Sequence, residues 1–209
     1  MIKKVTALKL QKRNKERVNV FLDGEFSFGL AKITAAWLKI GQELGEDKIK
    51  DLLSKDEVEV AFQRALNYLS YRPRAAREVR QNLKKHKASD EIIEEIISRL
   101  EQGGKLNDSN FAELWVENRS VFRPRGRHAL RMELRQKGIS DEIIEESLED
   151  IDENDLAYRA AKKQARKYKT LEWQDFRKKM NGFLARRGFN YGIISIIIPQ
   201  IWEEHSSQE

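Results

Sequence analysis

Ser89-Asp90-Glu91-Ile92-Ile93-Glu94-Glu95 recurs without a mismatch as Ser140-Asp141-Glu142-Ile143-Ile144-Glu145-Glu146, 51 residues further along the chain. Either copy reads as the start of a helix. A serine at the N-cap accepts from an otherwise unpaired backbone N–H, and acids in the first turn suit the positive end of the helix dipole. In the first copy Ile92, Ile93, Ile96, Ile97 and Leu100 fall on one helical face, and Gly103-Gly104 ends it. Working upstream, the same shift places Tyr71-Arg72-Pro73-Arg74 on Phe122-Arg123-Pro124-Arg125, Arg80 on Arg131, Leu83 on Leu134 and Lys84 on Arg135. From 71 to 95, 12 of 25 positions match their partners. Unrelated helices would not preserve a proline, a cap and a charge order together, so this is a repeat.

Each unit reads as three helices. In the first, Val58, Ala61, Phe62, Ala65, Leu66 and Leu69 mark one buried face. A second helix opens after Pro73 with Ala76, Val79 and Leu83 as its seam, and the Ser89 helix is third. A fainter third copy follows at a shift near 50, where Leu134, Gly138, Ile143 and Ile144 meet Leu184, Gly188, Ile193 and Ile194. It lacks the Arg-Pro-Arg start, and its last helix is more apolar and carries Pro199, which is expected to bend it. Terminal repeats are commonly atypical because one side has no neighbour.

The first 55 residues differ. Val5 to Leu10 and Arg17 to Leu22 alternate apolar and polar, and Phe26, Phe28 and Leu30 continue that period after the hairpin signal Asp23-Gly24. Three short strands are predicted, with one apolar face to be covered. Ile33 to Ile40 and Glu46 to Leu53 read as short helices, with Gly41 and Gly45 as stops. The predicted organisation is a β region with short helices over 1–55 and three-helix repeats over 56–105, 106–152 and 153–209. The fold class is mainly α: tandem, helix-turn-helix-like repeats in an elongated array behind a small antiparallel N-terminal β region.

Of 209 residues 35% are charged, and 40 Lys and Arg against 34 Asp and Glu leave a net charge of +6. That balance suits a folded protein with a basic surface for nucleic acid or an acidic protein, and equally suits ordinary solubilising charge. With no cysteine, disulfides and thiolate metal sites are excluded. The longest apolar run, Ile193 to Ile198, is too short to span a bilayer, and no apolar segment follows Met1-Ile2-Lys3-Lys4, so a cytoplasmic protein is expected. His86, His128 and His205 have no metal-ligand spacing, Gly103-Gly104-Lys105 is not a phosphate loop, and no nucleophile elbow is present. No catalytic residue, cofactor or metal is expected. Trp115, Trp173, Tyr68 and Phe111 sit at core spacing rather than as base-stacking platforms.

Charge segregates by helix. The middle helix of the first unit, with its lead-in, carries Arg72, Arg74, Arg77, Arg80, Lys84, Lys85 and Lys87 against Glu78. The second carries Arg123, Arg125, Arg127, Arg131, Arg135 and Lys137 against Glu133. The third helices are acidic, which disfavours entry into a DNA major groove and argues against a reader of operator sequences. For each arginine two readings stand: a solvated residue paired to the acidic helices, or part of a binding row. Repetition of the rows moves the balance toward the second. Lys162-Lys163, Arg166-Lys167, Arg177-Lys178-Lys179 and Arg186-Arg187 add basic clusters without repeat support, as do Lys12, Arg13, Lys15 and Arg17.

The run Ala65-Leu66-Asn67-Tyr68-Leu69-Ser70-Tyr71-Arg72-Pro73-Arg74, with Arg77-Glu78-Val79-Arg80, resembles the signature of the RecX family. Asn107-Asp108 to Phe111-Ala112 and Arg123-Pro124-Arg125-Gly126 resemble its second segment, and the resemblance extends over essentially the whole chain. It implies a cytoplasmic, non-enzymatic regulator built as a curved stack of three-helix repeats. Such a regulator binds RecA, chiefly as the nucleoprotein filament, and inhibits its ATPase, strand-exchange and coprotease activities. Weak, sequence-tolerant binding to single- and double-stranded DNA is also implied. A monomer is expected. The family has no catalytic site to carry over, so the candidates for contact with recombinase or DNA are the basic residues Arg72, Arg74, Arg77, Arg80, Lys84, Arg123, Arg125, Arg127, Arg131 and Arg135. The alternative is a sequence-tolerant DNA-binding protein with no recombinase partner.

Overall fold

In the computed structural model, which describes residues 1–206 and side chains as far as Glu204, alternation and periodicity become one small sheet and ten helices. The side chain of His205, one of the three histidines without metal-ligand spacing, lies outside the described residues. Strands β1 (Lys3–Leu10), β2 (Arg17–Leu22) and β3 (Glu25–Ala31) form the predicted antiparallel meander. Asp23 and Gly24 turn between β2 and β3 with φ of 51° and 91°, the doubly left-handed geometry that a two-residue hairpin needs. A two-residue strand β4 (Glu43–Leu44) joins beside β1, giving the order β3-β2-β1-β4. Val5, Val18, Val20, Leu22, Leu30 and Leu44 lie in the sheet, and Ala35, Leu38 and Leu52 pack with them in one core.

Two predicted helices come out differently. Only Lys32–Ala35 (α1) of the Ile33–Ile40 stretch is helical, and Ile33, Trp37 and Ile40 are exposed. Glu46–Leu53 is the beginning of one 24-residue helix, α2 (Glu46–Leu69), with Gly45 as its N-cap rather than a stop. What changes near residue 54 is the partner, not the backbone. Leu52 faces the sheet, whereas Ala61 and Ala65 belong to the first three-helix unit. No glycine or proline interrupts the run, so nothing stops the helix. Asp56, buried on α2, accepts from the Ala31 N–H and pairs with Arg17 at 2.9 Å, fastening the helix to the end of the hairpin.

The remaining helices are α3 (Ala76–Lys85), α4 (Asp90–Gln102), α5 (Asp108–Phe122), α6 (Arg127–Lys137), α7 (Asp141–Leu148), α8 (Glu153–Ala165), α9 (Trp173–Arg186) and α10 (Tyr191–Ser206), the last running on through Pro199. Ser89 and Ser140 cap α4 and α7, accepting from Ile92 and Ile143 at 3.3 and 3.4 Å. Asn190 does the same for α10, so the cap survives in the third repeat with a different residue. The tight turn before each cap is also shared. Gly138 and Gly188 adopt φ of 85° and 83°, and Lys87, the counterpart of Gly138, is forced to 66°.

The chain divides into two compact units, Met1–Pro73 with Glu78–Leu106, and Arg74–Arg77 with the chain from Asn107 onward. In the second unit Phe111, Ala112, Val116, Leu130, Leu134, Ile144 and Leu148 form one core, which also takes in Ala75. Phe176, Met180, Leu184, Ile194, Ile197 and Ile198 form the core of the third repeat, edged by the packed rings of Trp173 and Trp202. Carboxylates link successive repeats within this unit. Asp108, in the first turn of α5, accepts from the Ala76 N–H at 2.8 Å, and Glu153, in the first turn of α8, accepts from the Arg127 N–H at 3.0 Å. The middle helices of the first two repeats thus each have an N-terminal N–H satisfied by the first helix of the following repeat.

Candidate functional site

In the first two repeats basic residues of the middle helix pair with carboxylates of the third helix of the same repeat. Arg80 grips Glu94 through two hydrogen bonds of 2.8 and 2.9 Å, and Arg131 grips Glu145 through two of 2.7 Å. Both pairs span 14 residues of sequence. Lys84 reaches Asp90 at 3.4 Å and Arg135 reaches Asp141 at 2.7 Å, each across six residues. The guanidinium of Arg80 holds the Glu94 carboxyl below its ordinary range, and Arg131 and Arg135 do the same to Glu145 and Asp141. Reciprocally, Glu145 raises Arg131 and Asp141 raises Arg135. Because Arg on one helix faces Glu on the next, a row presents alternating signs rather than a uniform positive stripe.

The other candidates divide by role. Arg72 pairs with Glu78 at 2.9 Å and donates to the Pro73 carbonyl. Arg74 is half-buried. Arg77 lies along Gly138 and donates to the Gln136 carbonyl at 3.4 Å. Arg127 donates to the carbonyls of Leu148, Glu149 and Ile151, closing the C-terminal end of α7. Arg125 binds Glu133, which also accepts from Arg119 and from the Trp115 indole. Arg123 is different. It is the counterpart of Arg72, but the residue matching Glu78 is Ala129, so the repeat has lost the carboxylate there.

Around Arg123 the structure gathers residues that sequence reading left as isolated clusters. Lys163 on α8, Lys167 just beyond it and Arg187 at the end of α9 line one crevice with Arg123-Pro124-Arg125. Arg187 donates to the Pro124 carbonyl at 2.9 Å, and the Gly126 N–H donates to the Arg187 carbonyl at 2.9 Å. Burial, then repulsion from Arg125 and Arg123, pushes the Arg187 guanidinium below its ordinary value. No sequence spacing announces this convergence, because it depends on the third repeat docking against the second. Among the described residues no group of three or more His, Cys, Asp and Glu is arranged to hold a metal ion, and no helix is long and apolar enough to cross a membrane.

A β-hairpin domain followed by tandem three-helix repeats, with charge rather than a reaction centre repeated along them, defines a class of helical-repeat protein. Four family models match in order: the regulatory protein RecX N-terminal domain over 3–45, and the first, second and third RecX three-helix domains over 61–100, 107–148 and 151–198. The chain is 36% identical over 206 residues to the regulatory protein RecX of Bacillus subtilis strain 168, covering 96% of this chain and 78% of that protein. It is 35% identical over 201 residues to that of Bacillus licheniformis, covering 94% and 76%. A crystal structure of a regulatory protein RecX superposes with a TM-score of 0.77 at 28% identity, covering 93% of this chain and 98% of that one. RecX from Lactobacillus salivarius superposes with a TM-score of 0.63 at 31% identity, covering 70% and 97%. The chain belongs to the RecX family of regulatory proteins.

Proposed function

We propose that this protein regulates RecA recombinase in the cytoplasm, binding the RecA–DNA filament and limiting its ATPase, strand-exchange and coprotease activities. The observation that carries the reading is the correspondence with RecX regulatory proteins over 96% of this chain, N-terminal domain and all three repeats included. The action is one of binding, not of catalysis. Tandem repeats suit a polymeric partner, since several weak contacts to successive protomers add up to a preference for filament over free recombinase. Holding neighbouring protomers together would hinder the conformational cycling that hydrolysis requires.

The charge map suggests a division of labour. Rows of alternating Arg and Glu complement a protein surface of the reverse pattern better than a uniformly negative DNA backbone. Arg80, Lys84, Arg131 and Arg135, with Arg72, Arg74 and Arg77, are accordingly assigned to the recombinase. The Arg123-Pro124-Arg125 corner is assigned to nucleic acid. Arg127, committed to three carbonyls, supports the corner from within. The test is to titrate the protein into RecA assembled on single-stranded DNA while following ATP turnover. Inhibition at stoichiometric amounts is expected, and its absence refutes the reading. Replacing Arg80, Lys84, Arg131 and Arg135 together by Ala should weaken inhibition with the helices intact, and full potency would remove the rows from the contact.

A second reading, a sequence-tolerant DNA-binding protein with no recombinase partner, is favoured by the same basic crevice. Salt-sensitive DNA binding with no effect on the filament would select it.

A further inference from the structure

Five cations, Arg123, Arg125, Lys163, Lys167 and Arg187, line a crevice of about 340 Å3 with Phe122 at its edge, and no carboxylate lines it. Arg72, Arg80, Lys84, Arg131 and Arg135 are each paired to a carboxylate; in the crevice Arg123, Lys163 and Lys167 have no ion-pair partner among the described residues. Arg187 cannot turn away, because it is tied to the Pro124 carbonyl and lies over the Phe183 ring, 4.6 Å from its centroid. Arginine does not relieve such crowding by losing a proton, so an anion is what would offset the repulsion.

We infer that this crevice binds the phosphodiester backbone of a single-stranded nucleic acid, with Phe122 as the platform for an adjoining base. The aromatic decides between strand and duplex. Phe122 is 67% exposed, and its counterpart Tyr71 is 83% exposed. An aromatic is therefore placed twice before Arg-Pro-Arg without being used in a core. Such a ring stacks on an unpaired base and finds no face in a closed duplex or an acidic peptide. Of the two Arg-Pro-Arg corners, the second completes the site. It has the partnerless Arg123 and the third repeat docked behind it, whereas Arg72 is closed by Glu78.

The inference rests on the filament reading for the identity of its ligand class and is tested without recombinase. Fluorescence anisotropy of a labelled oligothymidylate is measured against salt for the full chain and for Arg123→Ala/Lys163→Ala/Lys167→Ala. Each phosphate contact removed should lower the slope of log affinity against log salt by about 0.7, so about 2 for the triple variant, with roughly tenfold or greater loss of affinity near physiological salt. Phe122→Ala should cost several-fold in affinity and leave the slope unchanged. The single variants Lys163→Ala and Lys167→Ala keep the test open if the triple variant fails to fold. Unchanged affinity and slope in the variants overturn the proposal. So does equal affinity of the parent protein for duplex DNA or polyglutamate, with indifference to Phe122→Ala. Filament inhibition that persists while the variants bind oligothymidylate normally refutes this site and spares the regulatory reading. Lost oligothymidylate binding in the variants of a protein that never inhibits the filament does the reverse.

Discussion

Gly126→Ala tests the joint on which the crevice depends. Gly126 is the N-cap of α6 with φ −73° and ψ 160°, a conformation alanine adopts freely, so no backbone strain accompanies the change. A Cβ there would lie 2.5 Å from the Gly188 carbonyl carbon and nearer still to its oxygen, and 2.7 Å from the Glu153 carboxylate. Backbone cannot swing aside as a side chain can, so α6 and the end of α9 must separate. Overpacking of this kind costs about 1–3 kcal/mol. Weakening the Gly126-to-Arg187 and Arg187-to-Pro124 hydrogen bonds adds about 1 kcal/mol each at most, the second discounted because Arg187 is only partly buried. The total is about 1–5 kcal/mol. Gly45 provides a matched control. It is also an N-cap glycine, with φ −76° and ψ 163°, and a Cβ there would meet nothing within 4 Å. Any cost of alanine as a cap is common to both variants. Urea unfolding followed by tryptophan emission is suitable, since Trp173 and Trp202 pack in the third repeat. If Gly126→Ala falls within about 0.5 kcal/mol of Gly45→Ala, the close approach of the second and third repeats is wrong.

Two further outcomes are expected. Lys87→Gly should stabilise the first repeat by about 0.5–1 kcal/mol in urea titrations, because Lys87 holds a left-handed φ of 66° where its counterpart is Gly138; a loss of stability would refute the shared turn. The carboxyls of Glu94, Glu145 and Asp141 sit below their ordinary values of 4.5, 4.5 and 3.8 in the folded chain, so their contribution to stability is complete above those values and is lost as pH falls through the depressed ones. Between about pH 5 and pH 3 the urea midpoint of Glu94→Gln/Glu145→Gln should therefore fall less steeply than that of the parent, and parallel curves would remove the pairs.

What the sequence made legible was what each repeat does locally. Ser89 and Ser140 were readable as caps, Asp23-Gly24 as a hairpin and the Arg-Pro-Arg corners as helix lead-ins, because each signal lies within a few residues of what it controls. The helix expected to end at Leu53 continues to Leu69 for a physical reason: a change of packing partner along α2 resembles a change of helix when only periodicity is visible. The pairing of Arg80 with Glu94 was one of two readings open from charge order, and only the facing of α3 and α4 shows it. The cations of the crevice stood out in the sequence as separate basic clusters, but their convergence was not legible. Lys163, Lys167 and Arg187 come to Arg123 through the docking of a third copy too diverged to align closely. Its one sequence trace is the replacement of Glu78 by Ala129, a small residue that leaves Arg123 unanswered and admits Gly188 against it.

The carboxylates that Asp108 and Glu153 supply to the preceding repeat have a consequence for the order in which the chain matures. Both point backward: a middle helix is made first, and its N-terminus is closed by a residue translated 32 or 26 positions later. On the ribosome, a repeat would stay frayed at its Arg-Pro-Arg corner until its successor emerged, then tighten as the successor's first turn formed. That places Arg74–Arg77 with the second unit although they belong by sequence to the first repeat. Shortening the protein from its C-terminus would accordingly loosen the repeat before the cut as well as delete the one after it.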